Sequence, residues 1–264
     1  MRIFYLVLIC ICISLSAICQ DNFQLVKDSI LAEAEKLYKS ETASWFGTDI
    51  FMKEYMGDQN RIKGYFSYSE NSDQICVFYD EADDPIVLGT ILFKSNEKIV
   101  YDSACRKFNN LEKDYYLLRK KANQEIQSDT ALFKHYRNTN LNLVPLIEEN
   151  QKKVYVITGS SMNNVVFLGN DYLMTFDDNY KLLTKKKLHN SLIPLEYGTQ
   201  KDSQEVGGVH THLPGFSDFI TATDICTLRL YQYMTKWKQH IVVSERYTTM
   251  YNCENNSLII IPRN

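Results

Sequence analysis

The sequence predicts an α+β fold: a helix-and-strand N-terminal region, then mixed strands around one central helix. Three observations predict it. Apolar residues recur at helical spacing in two N-terminal stretches, 23–39 and 103–127. After Lys153 the texture changes to short β-rich runs separated by Gly, Asn and Asp. In that second half only TATDICTLRLYQYM, 221–234, has strong helical character.

Taken in order, FQLVKDSILAEAEKLYK carries Phe23, Val26, Ile30, Ala34 and Leu37 on one helical face, and a second, shorter helix is expected around WFGTDIFMKEYM. Strands are expected over 65–68 and 74–79, separated by the turn-forming SENSD, and over 86–93 after DEADDP breaks the pattern. The helical stretch 103–127 aligns Phe108, Leu111, Tyr115 and Leu118. RNTNLN, rich in asparagine and without a period, marks a boundary between an N-terminal α+β region, 20–143, and a domain over 144–264. VYVITG, NVVFLG, YLMTFD and KLLTKKKLH then read as successive strands. SLIPLEY and VGGVHTHL follow as a hairpin closed by GTQKDSQ, and HIVVSERYTTMYNCENNSLIIIP closes the chain as two or three strands.

The N-terminus predicts export. Arg2 is followed by an apolar run of about thirteen residues and then by the small residues Ala17 and Cys19. Such a run is too short to cross a bilayer but fits a secretory signal over 1–19, which makes the mature chain secreted or periplasmic. A lipid anchor at Cys19 is the alternative, and the bulky Ile18 argues against it. Removing nineteen of the 264 residues leaves 245, enough for one large domain or two small ones. Loss of Arg2 takes the net charge from −3 to −4, too mild to suggest nucleic acid or an anionic membrane as partner. No second apolar stretch is long enough to span a membrane. Cys76, Cys105, Cys226 and Cys253 permit two disulfides in three connectivities or buried free thiols, and none has CxxC spacing.

The chemistry concentrates in GGVHTHLPGFSDFITATD, 207–224. Residues i and i+2 of a strand share a face, so His210 and His212 can aim both imidazoles at one ion. Asp224, in the first turn of the following helix, could supply a third ligand, leaving one position open as in catalytic zinc sites. Water held there would have its pKa lowered towards neutral. The plainer reading of TATD is a capping box, Thr221 as N-cap and Asp224 at the third helical position, which needs no metal.

These residues resemble the JAB/MPN-type (JAMM) metallopeptidases, whose signature is an HxHP stretch with a serine and an aspartate further on, the aspartate twelve positions after the second histidine. His210, Thr211 and His212 match the HxH, Asp224 falls at that spacing, and Thr221 sits where the family has serine. Leu213 separates His212 from Pro214, a departure from the signature. The resemblance covers under half the chain. It implies Zn2+ held by His210, His212 and Asp224, an oxyanion supported by Thr221, and a catalytic glutamate upstream at a strand start, for which Glu149 is the best placed residue. The implied activity is an exported peptidase or amide hydrolase acting on peptide or cell-wall amide bonds, with the N-terminal region positioning substrate or a partner. The alternative is a non-catalytic interaction or envelope protein on a degenerate JAB-like fold.

Other candidates are weaker. The expected hairpin sets His189 opposite His212, as a supporting group or a substitute ligand. His135 and His240 stand isolated and read as surface or capping residues. Asp171, Asp177, Asp178 and Asn179 lack calcium-loop spacing and read as turn residues.

Overall fold

A computed structural model of the chain describes residues 2–149, 151–198 and 207–263, with side chains from residue 23 onward. The side chains of the expected signal, 1–19, lie outside the described residues, as does most of GTQKDSQ. The elements are α1 (Arg2–Glu54), β1 (Gly64–Glu70), β2 (Asp73–Tyr79), β3 (Ile86–Phe93), β4 (Ile99–Asp102), β5 (Arg106–Lys107) and α2 (Asn110–Ser128). They continue with β6 (Thr139–Glu148), β7 (Gln151–Ser160), β8 (Val165–Gly169), β9 (Tyr172–Phe176), β10 (Leu182–Lys187) and β11 (Leu192–Glu196). The last are β12 (Gly207–Thr211), α3 (Ala222–Thr235), β13 (Gln239–Val243), β14 (Tyr247–Asn252) and β15 (Ser257–Pro262). The architecture is α+β: β1-β2-β3-β4 with β5 on β3, then β10-β9-β7-β6, the pair β11-β8, and β12-β13-β14-β15.

Helix α1 is the spine. Phe51 stacks on Phe78 at 3.9 Å over the first sheet, Leu37 packs with Tyr155, Ile157 and Cys226, and Ala34 with Val166, Ile225 and Leu228. The two N-terminal helices expected separately are therefore one. Gly47 does not break it: a Cβ there would lie 2.9 Å from Cys76 Cβ, so the glycine lets the helix approach β2. Helix α2 bridges two sheets, burying Tyr115 and Tyr116 against Phe66 and Tyr79, and Leu118, Ala122 and Ile126 against Val154, Val156 and Met174. It begins later than the apolar spacing suggested, because Asn109 and Glu112 form a capping box and Arg106 pairs with Glu112 at 2.6 Å.

Two expected features fall differently. The boundary placed before Val144 lies inside β6, which pairs with β7 along its whole length. The hairpin of SLIPLEY with VGGVHTHL does not form. β11 pairs antiparallel with β8, while β12 pairs in parallel with β13 across the α3 crossover. A strand followed by a helix and a strand favours that parallel pairing, and a long loop fixes no hairpin register. Cys76, Cys105, Cys226 and Cys253 are all free. Among the described residues no helix is long and apolar enough to cross a membrane.

Candidate metal centre

Strand β12 delivers the paired histidines. His210 lies in the strand opposite Val242, and the ladder continues one residue further through His212 N–H donating to Val243 O at 2.9 Å. The alternation of the strand leaves both imidazoles on one face, with Nε2 atoms 3.0 Å apart. Helix α3 then returns Asp224 to them. Thr221 is its N-cap, with Oγ1 accepting from Asp224 N at 3.1 Å and donating to Asp224 Oδ2 at 2.7 Å, while Thr221 N donates to the same oxygen at 2.9 Å. The capping box is real, yet it occupies one oxygen only. Oδ1 has no hydrogen bond although it is fully buried, and lies 3.1 Å from His189 Nε2. The two readings of Asp224 are thus compatible: Oδ2, though held by the cap, lies 3.2 Å from His189 Nε2, and Oδ1 has no hydrogen bond.

His189, from the segment after β10, completes the group. The ligating atoms of His189, His210, His212 and Asp224 all lie within 4.8 Å of one another, and all four residues are buried. Asp224 Oδ2 is 3.9 Å from His210 Nε2 and 3.8 Å from His212 Nε2. Four ligands at zinc-like bond lengths of about 2.0–2.1 Å stand roughly 3.3–3.4 Å apart around a tetrahedron. The observed separations straddle that value, so the group could hold a metal ion.

His210 and His212 are hydrogen-bonded through Nδ1, leaving Nε2 towards the centre, while His189 Nδ1 has no hydrogen-bond partner among the described residues. His212 Nδ1 donates to Ser217 O at 2.9 Å, His210 Nδ1 meets His240 Nε2 at 2.8 Å, and His189 Nδ1 faces Asp171 Oδ2 at 3.6 Å. Asp171 is itself fixed by Thr158 N at 2.9 Å. Outer partners of this kind set the tautomer and orientation of metal-bound histidine. Because Ser217 O can only accept, neutral His212 carries its proton on Nδ1 and its Nε2 lone pair faces His210. A cation between the two Nε2 atoms satisfies both lone pairs; without one, a proton on His210 must do so.

The electrostatics agree. Burial opposes the charge on Asp224, but His189, His210 and His212 outweigh it and hold the carboxyl well below its usual range. Burial pulls His189 down, yet the charge and hydrogen bond of Asp224, with Asp171 behind, raise it to about 9. His210 and His212 are lowered, by burial first and by the neighbouring imidazoles. Burial and His210 push His240 down to about 4, and burial pushes Asp171 up to about 6. Protonated His189 therefore supplies the positive charge that a metal ion would replace, and metal uptake would release that proton.

The centre lies at the wall of a cavity of about 420 Å³, lined by His189, His210 and His212 together with Ser191, Thr211 and Phe216. No carboxylate from the described residues lines it. Glu149 does not reach the site. It is exposed in the β6–β7 turn, at the opposite end of β7 from Thr158. Thr158 lies seven steps along the strand from Gln151, roughly 23 Å. Sequence reasoning found His210, His212 and Asp224, reached His189 through a hairpin that does not exist, and passed over Asp171 and His240. His240 is fully buried rather than a surface residue, and Asp171 is a buried partner of His189 rather than a turn residue. No local signal marked either one. No family model matches the chain, and neither does any curated protein or solved structure.

Proposed function

We propose that this chain carries a resident Zn2+ in a closed His3Asp centre and works as a non-catalytic, exported interaction or envelope protein on a JAB-like arrangement. The observation that carries this reading is His189. Three protein ligands with an open position mark a catalytic zinc, whereas four close the tetrahedron, and His189 Nε2 lies 3.1 Å from Asp224 Oδ1. The nitrogen-rich donor set suits zinc or a neighbouring transition metal rather than calcium or magnesium.

The second reading is the JAB-like peptidase or amide hydrolase itself, favoured by the cavity that opens on three of the four ligands. In that case His210, His212 and Asp224 would hold the ion, which would supply Lewis acidity, and His189, backed by Asp171, would be the group placed to accept a proton. One variant separates the two. We expect one zinc per chain by elemental analysis, lost in His212→Ala, with no amide turnover over a broad peptide and cell-wall panel. Under the closed reading His189→Ala weakens zinc binding by at least tenfold. Stoichiometric zinc retained in His189→Ala, together with chelator-sensitive turnover by the unmodified protein, would replace the first reading with the second. A metal-free protein after zinc loading would end both.

A further inference from the structure

A second cavity, of about 250 Å³, lies away from the metal centre between α1, the β6–β7 hairpin and α3. Ligand pockets run from roughly 300 to 1,000 Å³, so this one suits a small molecule. Its floor comes from α1, where Glu41, Ser44, Trp45, Thr48 and Asp49 follow the i, i+3, i+4, i+7, i+8 spacing of one helical face. That stripe is polar and aromatic: Glu41 and Ser44 are buried, Thr48 is half-buried, and Trp45 and Asp49 are exposed.

Glu41 is the anomaly. It is only 8% exposed, yet no cation lies within ion-pair distance of it. Oε2 accepts one hydrogen bond, from Asn142 Nδ2 at 3.1 Å, and Oε1 has no partner among the described residues. Arg119, a positive charge that acts on it, is turned to Tyr79 Oη at 2.9 Å and lies over the Tyr65 ring. A buried carboxylate with a single amide donor and no ion-pair partner is costly, and burial pushes its pKa up to about 7. Beside it Trp45 and Tyr231 meet edge to face, with centroids 5.5 Å apart, and Trp45 keeps 39% exposure at the mouth.

The groups still free to bind decide the ligand class. No lysine or arginine lines the cavity, which disfavours an anion. Three of the lining hydroxyls are engaged elsewhere: Thr48 with Ser44 O at 2.7 Å, Ser44 with Ser67 at 2.8 Å, Thr158 with Asn170 O at 2.9 Å. The Tyr65, Tyr231 and Thr227 hydroxyls and the Asn140 amide also line the cavity, but its charged groups, among the described residues, are the carboxylates of Glu41 and Asp49, set beside aromatic rings. Carboxylates and tryptophan together favour a cation, by charge pairing and by attraction to the ring face.

We infer that this cavity is a binding site for a small organic ammonium ion, with Glu41 as counter-ion and Trp45 and Tyr231 as its aromatic wall. The inference does not depend on the metal centre. Isothermal titration of the full chain with choline and with n-butylammonium tests it, using 3,3-dimethylbutanol as the neutral isostere of choline. Saturable one-site binding of either ammonium is expected, with choline at least tenfold tighter than its isostere if choline is the one bound. Glu41→Gln should weaken binding at least tenfold while keeping the wild-type circular dichroism. Should that variant misfold, Asp49→Asn, on an exposed position, is expected to weaken binding severalfold. No saturable binding by either amine at millimolar concentration overturns the proposal. So does equal affinity for the neutral isostere, or unchanged affinity in both variants.

Discussion

Asp224 and Glu41 are both buried carboxylates, at 0% and 8% exposure, and burial pushes the pKa of each upward. They end on opposite sides of the usual range. Asp224 has two donors from Thr221 and an imidazole pair partner, so its charged form is held well below ordinary values. Glu41 has one amide donor and no cation at contact distance, so its neutral form is favoured up to about 7. Burial alone does not decide the charge of a carboxyl; the groups aimed at it do. The first site answers its buried charge within the protein and could hold a metal ion. The second is left with an unanswered charge, which is why it points outward to a ligand.

The same chemical change at the two positions should therefore act with opposite sign. In metal-free protein Asp224→Asn removes the counter-charge of buried His189 and weakens the helix cap. Breaking one partner of a buried ion pair costs about 3–5 kcal/mol, and we expect a loss in that range by denaturant titration at neutral pH. A loss below about 1 kcal/mol would mean that Asp224 is not electrostatically engaged with His189, and the contrast with Glu41 would collapse.

Glu41→Gln should stabilise, and only at the pH where the carboxyl is charged. The folded pKa is raised from 4.5 to about 7, so the folded state binds the proton more tightly than the unfolded state. Stability from this group is full below pH 4.5 and falls as pH rises through about 7. The advantage of Glu41→Gln over the unmodified protein should accordingly grow across that window, to about 3 kcal/mol at pH 8. Paired denaturation curves at pH 4.5 and pH 8 measure it, in the absence of any amine. A difference that does not change with pH would place a cation on Glu41 already.

What the sequence made legible follows the range of the interactions. His210 and His212 are two apart on a strand, and Thr221 and Asp224 are three apart at a helix start. Both relations are local, and both could be read from spacing. The outer partners were not legible. Asp171 enters from the start of β9, His189 from the segment after β10 and His240 from β13, and nothing in their neighbours in sequence announces burial. The strands themselves were mostly visible as β-rich runs between turn residues, but their pairing was not. β11 goes to β8 and β12 to β13 because α3 carries the chain back across the sheet, and adjacency along the sequence cannot encode that. The polar stripe of α1 was hidden for a related reason. A row of Glu41, Ser44, Thr48 and Asp49 looks like a solvated helix face, and the burial of Glu41 and Ser44 shows only once the elements that cover them are known.

The smallest effect concerns Thr221, and it separates a structural role from a chemical one. Its hydroxyl both accepts from Asp224 N and donates to Asp224 Oδ2, so it caps α3 and fixes the carboxylate at once. Removing an N-cap hydroxyl costs about 0.5–2 kcal/mol. Thr221→Ser keeps the hydroxyl and loses only a methyl group; Thr221→Ala loses both. The difference between these two variants isolates the oxygen, and about 1 kcal/mol is expected in equilibrium unfolding of the metal-free protein. Under the closed-centre reading this is the whole effect, with zinc affinity following the loosened carboxylate by less than tenfold. A Thr221→Ala protein as stable as Thr221→Ser, but with altered amide turnover, would move Thr221 from the helix cap to the reaction and would favour the hydrolase for the entire centre.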